Sequence, residues 1–305
     1  MKLAIVIPYY KKTLFRETME SIASQTCKDF VLYIGDDASP ENPLDILEDY
    51  KDKISIVYHR FDENFGGKDL VAQWKRCVAL TKGEDWLWLF SDDDTMGPTC
   101  VEELKREVTN NASIQFVRFS KRFYNILTGE GYNTVYEKGE TVFPDFIKDA
   151  LDLTQNHTTM PEFAYTKELY EKNGFVKFPL AWWSDKATYL NYIMDSKSVY
   201  NLSSVVTFKF GKNISFENSE DVVRGKDSAD LQFLSFMKYF IAQTNKTRYR
   251  KIMEEVWQMF IDRMAYVLCK NSITYRFRAV VRMVPYATGF SSYKNLIKIL
   301  FNKIK

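Results

Sequence analysis

The chain has 305 residues, the length of about two domains or of one large domain with an appendage. Hydrophobic residues make up 46% and charged residues 27%, a globular balance that excludes a disordered chain, a collagen and a low-complexity scaffold. The net charge of +2 conceals an asymmetry: residues 1–262 carry 33 basic and 40 acidic residues, while the stretch after Asp262 carries nine basic and no acidic ones.

Taken in chain order, Leu3 to Ile7 is a continuous β-rich apolar run ended by Pro8. It lacks the longer apolar stretch of a signal peptide and reads as a buried strand. Thr13 to Ser24 reads as a helix, Phe30 to Ile34 as a second strand, and Gly35 to Pro40 as a turn. Pro43 to Tyr50 is helical, Ile54 to Tyr58 is a third strand, and Lys68 to Leu80 is a helix closed by Lys82-Gly83. Asp85 to Phe90 is a fourth strand, followed at once by Ser91-Asp92-Asp93-Asp94; Val101 to Asn110 is helical. This alternation predicts an α/β fold with a mostly parallel, Rossmann-like sheet flanked by helices. Residues 114–145 read as strands with turns at Gly129 and Gly131, residues 165–195 mix helix and loop, and residues from Asp227 onward read as a helical extension. No apolar run approaches the roughly 18 residues of a membrane span.

In such sheets ligands bind at the carboxyl ends of the strands. Asp36-Asp37 and Asp92-Asp93-Asp94 both follow strands directly. Three adjacent carboxylates repel unless they share a cation or hold a proton. A hard divalent cation suits them, and a protein that supplies one or two carboxylates leaves positions for substrate phosphates. The cluster therefore points to a nucleoside-diphosphate site; the alternative is a solvated acidic turn capping the next helix. The chain has no Gly-x-x-x-x-Gly-Lys-Ser/Thr loop and no Gly-x-Gly-x-x-Gly after strand one, which counts against P-loop NTPases and dinucleotide dehydrogenases. Two histidines and four scattered cysteines (Cys27, Cys77, Cys100, Cys269) argue against a zinc site and fit reduced thiols in a cytoplasmic protein.

Residues 3–98 resemble the nucleotide-binding half of the inverting family-2 glycosyltransferases, which have the GT-A fold. The matching signals are Ala4 to Tyr10, Ser21 to Thr26, Asp36-Asp37-Ala38-Ser39, Glu63-Asn64-Phe65-Gly66-Gly67, Gly83, and Phe90 to Asp94 with Pro98. Each is weak alone; together, in register, they are specific. The resemblance fades after about residue 110. It implies a glycosyltransferase domain over 1–226, with a nucleotide-binding half (1–110) and an acceptor half (111–226), before a helical, basic region (227–305).

The resemblance places Pro8, Tyr9 and Tyr10 at the base pocket, Asp37 on the base and Asp36 in its support. Lys68 falls where the family often has a basic residue facing the nucleotide. The family's Asp-x-Asp motif falls on Ser91-Asp92-Asp93, a departure at its first position. Asp93 then becomes the metal ligand, Asp92 a ribose or metal contact, and Asp94 a supporting carboxylate at the metal; the cofactor is Mn2+ or Mg2+. The segment Phe178 to Lys186 resembles the family's general-base region, which makes Asp185 the base and Trp182 and Trp183 the sugar-facing surfaces. By residue type alone, Ser184-Asp185 reads rather as the cap of a helix through Tyr192, with the tryptophans in the core. His157 would line the acceptor site, and a loop from Lys209 to Ser215 would close over the diphosphate.

The implied partners are a nucleoside-diphosphate sugar, UDP being the family's commonest nucleotide, and a glycan or lipid-linked acceptor in surface polysaccharide assembly. The basic, apolar tail (Leu296 to Ile304 with Lys294, Lys298, Lys303 and Lys305) suits an anionic membrane surface, which would place a cytoplasmic enzyme at the inner face of the plasma membrane. The acidic body argues against nucleic acid. A sugar-phosphate nucleotidylyltransferase shares the architecture, but Tyr9-Tyr10-Lys11-Lys12 lacks the glycines of its phosphate loop. A non-catalytic nucleotide-sugar or glycan-binding module is the other alternative.

Overall fold

The computed structural model describes residues 1–151, 158–211, 217, 219–244, 254–255, 277, 280–281, 284 and 297. His157, Lys212 and nearly all of the basic tail lie outside the described residues. Two compact units are formed, one by Met1–Phe143 with Thr158–Ala229, the other by Pro144–His157 with Asp230–Lys305.

The first unit is built on one mixed sheet. The expected apolar runs become β1 (Leu3–Tyr9), β2 (Val31–Asp36), β3 (Ser55–Arg60) and β4 (Trp86–Leu89). They pair in parallel in the order β3-β2-β1-β4, in register from Leu3 opposite Trp86 and from Ala4 opposite Val31. Their connections are α1 (Phe15–Ala23), α2 (Leu44–Glu48) and α3 (Gly66–Val78). Strands β1 and β4 are buried on both faces, which is why they read as continuous apolar runs rather than alternating ones. Phe15, Met19 and Ile22 of α1 pack with Ile5, Ile7, Trp88 and Phe90 in one core.

Beyond β4 the chain departs from the parallel pattern. Elements β5 (Thr95–Met96), α4 (Cys100–Asn110), β6 (Phe116–Asn125), β7 (Gly131–Thr134), β8 (Gly139–Val142) and α5 (Phe143–Ala150) lead to β9 (Phe163–Thr166). Then come α6 (Lys167–Asn173), α7 (Ser184–Ser196), β10 (Ser198–Phe210) and α8 (Glu220–Thr244). The sheet continues β4-β9-β6-β10-β5, with β7 on β6 and β8 on β10; β6 and β10 are parallel and the other pairs antiparallel. So the parallel sheet holds for the nucleotide-binding half, and antiparallel strands extend it.

Strand β10 has no counterpart among the expected elements. Its register shifts between Leu202 and Val205, which breaks the two-residue alternation that marks a strand. The unpaired Ser203 and Ser204 N–H groups donate instead to Glu103 of α4, at 3.2 and 2.7 Å. Lys209 therefore belongs to a strand that runs to Phe210, not to the expected loop.

In the second unit, Phe233, Leu234, Met237, Phe240 and Ile241 form a buried helical stripe, with Phe236 stacked between Phe233 and Phe240. Among the described residues no helix is long and apolar enough to cross a membrane.

Candidate active site

From β1 the chain moves outward to β2 and β3, then crosses to β4 on the other side of β1. The carboxyl ends of β1 and β4 thus flank a topological switch point, the place where open α/β sheets bind ligands. Tyr9-Tyr10 ends β1, Asp36-Asp37 ends β2, and Asp92 to Asp94 follow β4.

The three carboxylates of the triplet have different surroundings. Asp92 Oδ2 accepts from the Tyr10 and Lys11 N–H groups at 2.7 and 2.8 Å, tying the end of β4 to the end of β1. Asp94 is fully buried; one oxygen accepts from Ser91 Oγ at 2.5 Å and the other from the Lys209 N–H at 2.7 Å. Its geometry anchors β10 to the acidic turn, whereas the sequence pattern groups it with the metal ligands. Asp93 is half-buried and makes no hydrogen bond or ion pair to another residue among the described residues. Burial, then the charge of Asp93, pushes Asp92 up to about 7. Burial likewise raises Asp93, and burial with the Asp93 charge raises Asp94 well above the carboxylate range. A cluster held this way gains from a cation. The nearest cationic influences on Asp93 are Lys11 and Lys209, and the Lys209 ammonium lies 2.6 Å from Glu17.

The Asp36-Asp37 pair divides in the same manner. Asp36 is fully buried and accepts from the Ser39 N–H, the Tyr58 hydroxyl and Arg60 Nη1 at 2.8, 2.6 and 2.8 Å. It supports the turn and does not reach the cavity. Asp37 accepts through Oδ1 from the Phe65 N–H and through Oδ2 from the Gly66 N–H, both at 2.7 Å. Arg76 Nη2 donates to Oδ1, and its guanidinium is sandwiched between Phe61 and Phe65, 3.8 and 4.1 Å from their ring centroids. A side chain at position 66 would meet Asp37 Oδ2 at 2.6 Å, so the backbone can approach this closely only at a glycine.

A cavity of about 240 Å³ opens beside this carboxylate, lined by Pro8, Tyr9, Tyr10, Asp37, Asn64, Gly66, Gly67, Leu70 and Gln73. Four of the seven residues expected to bind nucleotide are therefore brought together. Lys68 is not: it is exposed and outside the lining. Its neighbour Asp69 breaks the helix backbone at φ −151° and accepts from the Ala72 N–H, so α3 restarts there. Asp69 also pairs with Lys177 at 2.5 Å, joining α3 to the segment that carries the tryptophans.

That segment is strained. A 3-10 turn, Pro179–Ala181, packs against α3 and leads to α7. Leu180, Ala181 and Trp183 have φ of 58°, 54° and 70°, left-handed values that cost a side-chain-bearing residue about 1–3 kcal/mol each. Asp185 stands in the first turn of α7, where its Oδ1 accepts from the Lys186 N–H at 2.7 Å. The helix dipole favours a carboxylate there. Burial nevertheless pushes Asp185 up to about 6, against the pull of the Lys186 N–H and charge. Trp182 and Trp183 are half-buried and meet edge to face, with ring centroids 5.8 Å apart.

The sequence reading missed Arg76, Arg60, Tyr58 and Gln73. Gln73 had a signal: it falls on the buried stripe of α3 between Val71, Trp74 and Cys77, where an amide needs a partner, and its Nε2 donates to the Gly35 carbonyl at 3.0 Å. Arg60 and Arg76 carried no comparable signal.

The family model for glycosyl transferase family 2 matches residues 4–174. An uncharacterized glycosyltransferase of Haemophilus influenzae is 25% identical over 209 residues, 68% of this chain and 67% of that one. A poly(ribitol-phosphate) beta-glucosyltransferase of Bacillus spizizenii is 36% identical over 97 residues, 30% of this chain but only 15% of that protein. Among solved structures, Staphylococcus aureus TarS is similar in fold, with a TM-score of 0.67 at 14% identity, covering 98% of this chain and 52% of TarS. The crystal structure of TarS 1-349 in complex with UDP-GlcNAc gives a TM-score of 0.61 at 15% identity, covering 98% of this chain and 90% of that one. At such identities the likeness is one of fold alone, and this chain spans about half the length of TarS.

Proposed function

The chain belongs to glycosyl transferase family 2, and from that premise we propose that it moves a sugar, with inversion, from a UDP-sugar to a glycan or lipid-linked acceptor in surface polysaccharide assembly. The observation that carries this reading is the cavity at the switch point, with Asp37 in its wall and Asp93 as the acidic-turn carboxylate that makes no hydrogen bond or ion pair among the described residues. Uracil fits Asp37: a carboxylate held by N–H donors keeps lone pairs for one more donor, and the uracil imide supplies an N–H. The UDP-GlcNAc complex of the TarS fold relative supports the same choice.

Asp185 would take the proton of the acceptor hydroxyl as that oxygen attacks the anomeric carbon and the bond to the diphosphate breaks. Its elevated pKa suits a base that is ionised at neutral pH yet still accepts a proton. Trp182 and Trp183 would hold the acceptor sugar. Among the described residues no group of three or more His, Cys, Asp or Glu side chains is arranged to hold a metal. Asp93, with Asp92 beside it, has the hard oxygen donors that Mn2+ or Mg2+ prefers and would share the ion with the substrate diphosphate. Such an ion neutralises the diphosphate as it leaves. The basic tail would keep the enzyme at an anionic membrane surface, where a lipid-linked acceptor is anchored.

A thermal-shift panel of UDP, GDP, TDP and CDP, with and without Mn2+, tests the reading on wild type and Asp93→Ala. A native-state ligand raises the midpoint by mass action. The expected result is a Mn2+-dependent shift with UDP that Asp93→Ala loses. No shift with any nucleotide from a folded sample would sink the donor site.

A further inference from the structure

We infer that Gly225 is a positioning residue for transfer: the notch it leaves in α8 receives Leu180 and so locks the strained segment that presents Asp185 and the two tryptophans. The role in transfer rests on the reading proposed above; the lock itself is a matter of packing.

Three of the four residues from Leu180 to Trp183 are left-handed, and none is glycine. Such backbone persists only where its surroundings over-determine it. Three hydrogen bonds fix the turn internally: Phe178 N–H to Ser184 Oγ at 2.9 Å, Ala181 N–H to the Phe178 carbonyl at 3.1 Å, and Trp182 N–H to the Pro179 carbonyl at 3.1 Å. They set its local shape but do not seat it. Seating comes from α3, against which the turn packs, and from Leu180 in the notch of α8. A Cβ at position 225 would lie 2.5 Å from Leu180 Cδ1 and 2.8 Å from its Cγ, so no larger residue fits unless Leu180 moves.

Glycine is otherwise misplaced at 225. The position lies in the second turn of a 25-residue helix, where glycine is a poor choice, and its φ is not left-handed. Its backbone conformation therefore does not require it; the notch does. The next residue makes a second contact: the Lys226 ammonium lies 5.3 Å from the Trp182 ring centroid and donates to the Glu217 carbonyl at 2.9 Å. Residues 220–229 of α8 belong to the first unit, together with the segment they hold. Residues 220–229, the start of the helix that follows the last strand, thereby pack on the segment that carries the tryptophans.

The test uses the full chain. Amide hydrogen exchange is compared between wild type and Gly225→Ala over residues 178–186, and over residues 5–12 and 31–39 as the donor-pocket reference. Exchange at 178–186 is expected to speed up at least about tenfold, with the reference peptides unchanged. UDP release from UDP-glucose or UDP-N-acetylglucosamine, with water as acceptor, is then expected to lose roughly 10- to 100-fold in kcat at an unchanged donor KM. In Gly225→Ala/Leu180→Ala the shorter side chain removes the clash, and part of the lost rate returns. Should Gly225→Ala not fold, Leu180→Ala empties the notch without a clash and carries the same comparison. Wild-type exchange at 178–186 overturns the lock. A parallel loss of kcat and donor affinity reduces Gly225 to a general structural role and overturns the positioning claim. Wild type that neither binds UDP nor releases it from any nucleotide sugar overturns the transferase reading instead, and the exchange result still decides the lock.

Discussion

Gly66→Ala probes how the Asp37 carboxylate is held. The new Cβ would sit 2.6 Å from Asp37 Oδ2, about 0.8 Å inside ordinary van der Waals contact. The Gly66 N–H donates to that same oxygen at 2.7 Å, so the carbon and the hydrogen bond compete for one place. Asp37 cannot step aside, because its other oxygen accepts from the Phe65 N–H and from Arg76. At 3% exposure its carboxylate depends mainly on these protein donors. Relief therefore breaks one charge-assisted hydrogen bond, about 1.5–3 kcal/mol. If that carboxylate binds the base, UDP affinity falls roughly 10- to 150-fold at 1.4 kcal/mol per decade. Isothermal titration of UDP at fixed Mn2+ measures it. Gly83→Ala is the control: nothing lies within 4 Å of its added carbon, so affinity and stability should stay within about 0.5 kcal/mol of wild type. A Gly66→Ala protein that binds UDP like wild type would refute the link between Asp37 placement and affinity.

Four further outcomes are expected. If Asp185 is the base, its rise from 3.8 to about 6 leaves it ionised only at higher pH, so kcat/KM climbs with pH through about 6; Asp185→Asn loses about 10²- to 10⁴-fold in rate and that inflection, and a retained inflection counts against the assignment. The stability sign is opposite: the folded state favours the protonated form, so this group's contribution is full below pH 3.8 and lost as pH rises through about 6, and Asp185→Asn should melt above wild type near pH 8. Asp94→Ala leaves the Ser91 hydroxyl and the Lys209 N–H without their acceptor, about 1–3 kcal/mol for each buried group; an unchanged urea midpoint would show that the anchor does not matter. Arg60→Ala removes donors from Asp36 Oδ2 and from the Ser39 carbonyl, and urea unfolding should register a loss of about 1–2 kcal/mol, with Arg60→Lys intermediate.

The sequence by itself determined the parallel part of the sheet, β1 to β4. Strands β1 and β4 are buried on both faces, and such strands announce themselves as unbroken apolar runs. It also determined that acidic residues cluster at strand ends, because chain order alone puts them there. The general-base position came from resemblance; residue type offered only a helix cap, and Asp185 does stand in the first turn of α7. Tertiary structure decided the rest. Strand β10 stayed hidden because its bulge and its buried Asn201 and Lys209 disguise a central strand.

Which carboxylate is structural and which is available could not be read locally either. The partners that decide it lie far along the chain: Arg60 is 24 residues from Asp36, Arg76 is 39 from Asp37, and Lys209 is 115 from Asp94. A hydrogen bond forms between groups that folding brings together, whatever their separation in sequence. Composition can say that three aspartates sit side by side, but only the folded chain gives Asp92 and Asp94 internal donors and gives Asp93 none among the described residues.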